Sequence, residues 1–108
     1  MRFEVLLTED ANRDLEEIHA YIAAHDAPGK ADALLDGMEQ AIENLARFAH
    51  RGSYPRELLA LGIREYRQTV FKSYRLIYRV IQRKVYVYVI ADGRRDFQTL
   101  LARRLLGA

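Results

Sequence analysis

An α+β fold with the element order β-α-α-β-β-β-α is predicted by three observations. Residues 9–25 and 28–48 carry apolar side chains at helical spacing, one stretch directly after the other. Residues 63–71, 74–81 and 85–90 are rich in β-branched and aromatic residues, alternate in character and are separated by short polar turns, as in consecutive antiparallel strands. Residues 94–106 then return to helical spacing. Helices grouped in sequence pack together against one face of a small, mainly antiparallel sheet. At 108 residues the chain is expected to be one domain, 1–108, large enough for a single modest core.

Taken in order, Phe3-Glu4-Val5-Leu6-Leu7 is a short strand. Thr8 can cap the next helix, and Glu9 and Asp10 suit the positive end of its dipole. Ala11, Leu15, Ile18 and Ile22 form the apolar stripe of that helix, 9–25. Asp26-Ala27-Pro28-Gly29 breaks it, and Pro28 suits the first turn of a second helix, 28–48. Ala31, Leu34, Leu35, Met38, Ala41, Ile42, Leu45 and Phe48 form its stripe. The short break makes the pair an antiparallel hairpin. Arg51-Gly52-Ser53-Tyr54-Pro55 is loop, and residues 57–62 are ambiguous, one reading being a single helical turn ended by Gly62.

Alternation assigns the faces of the strands. Tyr74, Leu76, Tyr78 and Val80 fall together, matched by Val85, Val87 and Val89, and form the expected core face under the hairpin. The other face carries Arg75, Ile77, Arg79, Tyr86, Tyr88 and Ile90. Arg interleaved with Tyr on an uncovered face reads either as a docking surface for RNA or protein, or as cross-strand pairs on a solvated sheet. Gln82-Arg83-Lys84 is a polar turn and Asp92-Gly93 ends the sheet. The last helix, 94–106, sets Phe97, Leu100, Leu101 and Leu105 on one stripe, as core or docked apolar surface, and bears Arg94, Arg95, Arg103 and Arg104.

Charge divides along the chain. Residues 1–50 hold 4 Lys/Arg against 11 Asp/Glu, a net of −7, and residues 51–108 hold 13 against 4, a net of +9. The basic half suggests a nucleic-acid-facing surface or an acidic partner. Its cations are nearly all Arg, whose planar fork suits phosphate and carboxylate. The acidic side chains Glu9, Asp10, Asp14, Glu17, Glu39 and Glu43 read as a solubilising face or as a lure for a cationic partner. The absence of cysteine removes disulfides and thiolate metal sites and fits a reducing cytoplasm. No apolar run approaches the roughly 18 residues of a membrane span, and the chain moves into structure without an apolar leader, so a cytoplasmic protein is expected. Glu16-x-x-His19 has a di-metal helix spacing but no second copy, and Ser53 and Thr69 have no nearby histidine to activate them. No metal and no cofactor are expected.

Four strings carry a family resemblance: Leu7-Thr8-Glu9-Asp10-Ala11, Arg51-Gly52-Ser53-Tyr54-Pro55, Tyr74-Arg75-Leu76-Ile77-Tyr78-Arg79-Val80 and Ile90-Ala91-Asp92-Gly93-Arg94-Arg95-Asp96. In this order and spacing the chain resembles, over nearly its whole length, the RelE/ParE superfamily of bacterial toxins from toxin–antitoxin pairs. The resemblance implies the same α+β fold and a small cognate antitoxin that wraps the toxin in a hetero-oligomer. It also implies one of two activities. The RelE-like branch cuts mRNA on the ribosome, and the ParE-like branch poisons DNA gyrase.

Carried over by register, the paired lysines of the RNase branch fall at Tyr66 and Gln68, its strand arginine at Arg75, its turn arginine at Arg95 and its C-terminal tyrosine near Leu101. Cleavage through a 2′-hydroxyl needs a base, a cation for the phosphorane and an acid. Arg75 and Arg95 can supply charge, leaving Tyr66 and Tyr88 for proton transfer. Arg is a poor base, and an unperturbed tyrosine has a pKa of about 10. No histidine lies beyond residue 50. The catalytic set is incomplete and the amphipathic last helix is more ParE-like. Gyrase poisoning is therefore the expected activity, with a ribosome-dependent endoribonuclease as the alternative and an inactive, antitoxin-binding relic as the second. Expected target contacts are Arg64, Arg67, Arg94, Arg95 and Arg103. Expected antitoxin contacts are Arg75, Arg79, Tyr86, Tyr88 and Leu101.

Overall fold

A computed structural model describes residues 2–27 and 29–107. The helix-starting role expected of Pro28 lies outside the described residues. The elements run β1 (Glu4–Leu7), α1 (Glu9–His25), α2 (Lys30–Phe48), α3 (Arg56–Leu59), β2 (Arg67–Phe71), β3 (Tyr74–Ile81), β4 (Lys84–Asp92) and α4 (Phe97–Leu105). Thr8 is extended and its side chain accepts a hydrogen bond from the Ala11 N–H at 3.1 Å, which sets the start of α1 where the sequence placed it. The α1–α2 hairpin returns the chain so that the sheet order is β1-β4-β3-β2. β1 runs parallel to β4, and the other neighbours are antiparallel.

The hairpin buries its stripe on one face of the sheet, as expected. Ala11, Met38, Ile42 and Leu45 pack against Leu76, Tyr78, Val85 and Val87, with Phe3 and, on β1, Val5 and Leu7 at the margin. The opposite face is not open, which corrects the sequence reading. Leu58 of α3 and Phe97, Leu100 and Leu101 of α4 build a second core there on Ile77, Val89 and Ala91.

A bulge in β4 explains part of the difference. Tyr78 pairs with Val87 but Ile77 pairs with Val89, so Tyr88 is an extra residue between them. One inserted residue reverses the alternation beyond it. Val89, assigned to the hairpin face, therefore lies in the second core, and Ile90, assigned to the opposite face, joins the first.

Two boundaries also move. The strand expected over 63–71 begins only at Arg67. Before it, α3 ends in a left-handed turn at Gly62 (φ 76°), with the Ile63 N–H reaching back to the Leu58 carbonyl at 2.9 Å and the Gly62 N–H to Leu59 at 2.9 Å. The helical turn ended by Gly62 is thus present, and Ile63 is drawn onto the second core. The last helix starts at Phe97 rather than at 94. Asp96 is its N-cap, accepting from the Thr99 N–H at 3.2 Å and the Thr99 hydroxyl at 2.7 Å. Arg94 and Arg95 belong to the preceding turn, which the Asp92 carboxylate closes by accepting the Arg94 N–H at 2.9 Å. Among the described residues no helix is long and apolar enough to cross a membrane.

Candidate functional site

Under α3 and α4, Arg75 is held on every side. Its Nη1 and Nη2 donate to the two Glu57 carboxylate oxygens at 2.9 and 2.8 Å, its Nε donates to Gln68 Oε1 at 2.9 Å, and its guanidinium lies 4.0 Å from the Phe97 ring centroid. Only 12% of the side chain is exposed. The hydrogen-bonded guanidinium holds the Glu57 carboxyl below its ordinary range. Beside it Tyr66 packs edge-on to Tyr88, ring centroids 5.5 Å apart. Burial, reinforced by Tyr88, pushes the Tyr66 phenol above its ordinary value.

Three of the expected site residues lie here. Arg75, expected at a catalytic or antitoxin-binding position, is engaged in this chain by Glu57, Gln68 and Phe97. Tyr66, 9% exposed, belongs to the second core, where burial raises its phenol above the ordinary value. Leu101, 0% exposed, lies in the second core. Arg95, the third member of the RNase set, stands exposed in the turn before α4. The trio does not form one open site.

A seam ties α4 to α1. Arg104 Nη1 and Nη2 donate to the Asp14 carboxylate oxygens at 3.0 and 2.9 Å, and Nη2 also donates to the Tyr88 carbonyl at 2.8 Å. Asp14 Oδ2 accepts the Ile90 N–H at 3.0 Å. One ion pair thus engages the carbonyl of the bulge residue and the amide two residues beyond it. Sequence reasoning gave Asp14 and Arg104 no such role, and no local pattern signals a pairing across 90 residues.

The expected target-binding arginines divide. Arg67 is turned inward, donating to the Gly52 carbonyl at 2.9 Å and the Tyr54 hydroxyl at 3.1 Å. Arg94 pairs with Asp92 and, hydrogen-bonded through side chain and backbone, lowers its pKa to about 2. Arg64, Arg95 and Arg103 are exposed, and the last two flank the α1–α4 seam beside Asp10 and Glu17. Of the expected antitoxin contacts, Arg79, Tyr86 and Tyr88 are half-buried.

A groove of about 620 Å³ opens between α2 and the edge strand β2, lined by Gly37, Ala41, Asn44, Phe48, Val70 and Phe71 among others. A Cβ on Gly37 would collide with the Phe71 ring, so only glycine lets that ring seat against α2. Ser53 covers part of the strand edge, its carbonyl accepting the Gln68 N–H at 2.7 Å. By alternation the next outward backbone group is that of Val70, whose side chain is 58% exposed. A groove that mixes apolar side chains with Gln40, Asn44, Arg51 and Thr69 beside a half-open strand edge is a surface suited to another polypeptide. Nothing in the sequence marked it, because it exists only once α2 and β2 are side by side.

The sequence model of the family described as "ParE toxin of type II toxin-antitoxin system, parDE" matches residues 5–97. No curated protein matches the chain in sequence. Among solved structures, the chromosomal ParDE toxin–antitoxin system from P. aeruginosa is similar with a TM-score of 0.70 at 16% identity, over 84% of this chain and 96% of that one. The RelBE2 toxin–antitoxin complex from Mycobacterium tuberculosis is similar with a TM-score of 0.59 at 23% identity, over 85% and 99%. At these identities the shared property is the fold.

Proposed function

This chain belongs to the ParE toxin family of type II toxin–antitoxin systems, and on that premise we propose that it stops growth by binding and poisoning DNA gyrase, without bond-making chemistry of its own. The observation that carries the non-enzymatic half is the burial of Arg75 and Tyr66 beneath α3 and α4. A ribonuclease needs base, cation and acid converging on one open phosphate site. Here the strand arginine is neutralised by Glu57 and the tyrosine is a core residue. The exposed cations Arg64, Arg94, Arg95 and Arg103 remain for contact with the target, with Arg94 the weakest choice because Asp92 already occupies it.

A cognate antitoxin is the proposed neutralising partner, and the α2–β2 groove is where its apolar side chains would be buried. The ParDE and RelBE2 neighbours are toxin–antitoxin assemblies, which supports that partner. The deciding experiment induces the chain briefly without antitoxin and scores gyrase-cleaved DNA and mRNA ends in the same cells. Double-strand breaks with intact mRNA are expected. Codon-phased mRNA cuts with intact chromosomes would overturn the gyrase reading, and growth without arrest would leave only an antitoxin-binding role. Replacing Arg95 and Arg103 together by Ala is expected to abolish toxicity while antitoxin binding and thermal stability persist.

A further inference from the structure

The fold sorts the arginines into two groups. Arg13, Arg56, Arg75, Arg94 and Arg104 each meet a carboxylate. Arg2, Arg47, Arg51, Arg64, Arg67, Arg79, Arg83, Arg95 and Arg103 form no such ion pair among the described residues. Five of these nine, Arg47, Arg51, Arg64, Arg67 and Arg83, lie against three aromatic rings. Arg47 and Arg51 lie 5.6 and 4.0 Å from the Phe48 ring, and Arg64 and Arg67 lie 5.8 and 4.6 Å from the Tyr54 ring. Arg83 lies 5.1 Å from the Phe3 ring and donates to the Arg2 carbonyl. His50 joins the clusters, standing edge-on to Phe3 while its carbonyl accepts from Arg67. The loop after α2, the start of β1 and the β3–β4 turn thus form a cationic belt, in which Arg67 is turned inward and Lys84 is paired with Glu4 at 4.0 Å.

We infer that this belt is a docking surface for the sugar–phosphate backbone of duplex DNA. Guanidiniums without a carboxylate partner attract phosphates and release their counterions. Single strands are bound by stacking bases on open aromatic faces. Here each ring of the belt already has the protein's own cations or His50 against it, so the surface offers charge without a stacking platform. Such contacts position DNA and carry no sequence preference. The inference goes beyond the gyrase reading, because it concerns DNA alone and is measured without gyrase.

The test titrates the purified full chain into a labelled, mixed-sequence duplex of roughly 20 base pairs at several salt concentrations, reading fluorescence anisotropy. Four or five phosphate contacts give a slope of log K against log salt of about −4. Arg47→Gln, Arg51→Gln and Arg83→Gln are each expected to make it shallower by about 0.9, and the triple variant by about 2.7. The triple Arg→Lys variant keeps the slope, which a folding defect would not allow. Lys30→Gln, on the far end of the hairpin and paired with Asp26, leaves it unchanged. A slope unmoved in the triple Gln variant would overturn the inference. So would tighter binding of a single strand with the same number of phosphates, or displacement of the duplex by an oligoglutamate of equal charge, which would make the belt a site for an acidic polypeptide.

Discussion

Arg75 shows how one side chain's surroundings set the meaning of its substitution. Arg75→Met removes the cation but leaves the Glu57 carboxylate, 15% exposed, against the second core. An uncompensated charge there is expected to cost about 3 kcal/mol, measured by denaturant unfolding, and Glu57→Gln in the same chain should recover part of it. Loss of toxicity in Arg75→Met would accordingly report lost fold. Asp92 is the surface counterpart. Arg94 holds its carboxyl at about 2, so its contribution is complete above the ordinary aspartate range and is lost as pH falls through about 2. Arg94→Ala should raise the Asp92 pKa toward the ordinary value, read by NMR titration of its carboxyl carbon. Asp96 was legible as an N-cap from its type and its spacing to Thr99. The sequence reading instead began the last helix at Arg94, directly after the sheet-ending Asp92-Gly93, three residues before Phe97.

At the scale of elements, α4 is anchored three ways: by its Asp96 cap, by its apolar stripe and by Arg104 on Asp14. The contributions separate experimentally. Asp96→Ala should cost about 1 kcal/mol. Leu101→Ala should cost about 3 kcal/mol, because a fully buried leucine leaves a cavity. Arg104→Ala should release the strand bulge as well as the helix, seen as faster hydrogen exchange of the Ile90 amide, which Asp14 now accepts. The loop after α2 has its own constraint. A Cβ on Gly52 would strike the Tyr78 hydroxyl and come within 2.6 Å of the Gln68 carbonyl oxygen. Gly52→Ala is therefore expected to lower thermal stability by displacing Tyr78 from its 2.8 Å hydrogen bond to the Ala49 carbonyl.

For the whole molecule, the charge split along the chain is only partly a charge split in space. α4 comes back onto α1, so Arg104 meets Asp10 and Asp14, and part of the basic half is neutralised by the acidic half. The cations left over gather at the loop after α2 and at the outer side of α4. If a cognate antitoxin covers the α2–β2 groove, saturating it at about a thousand times its Kd should stabilise the fold by about 4 kcal/mol, read as a raised Tm. Burial of Val70 and Phe48, tested by Val70→Asp, should weaken that complex without unfolding the free chain, because Val70 is exposed on an edge strand. The sequence by itself determined the helices, the strands, their order, the Thr8 cap and the family resemblance. These are written in periodicities and short-range signals that operate over a few residues. Only the tertiary structure decided which face Val89 and Ile90 occupy, that the second face is covered, and which arginines remain free. A single bulge at Tyr88 and partners 90 residues apart make those decisions, and both depend on packing between elements that no local pattern encodes.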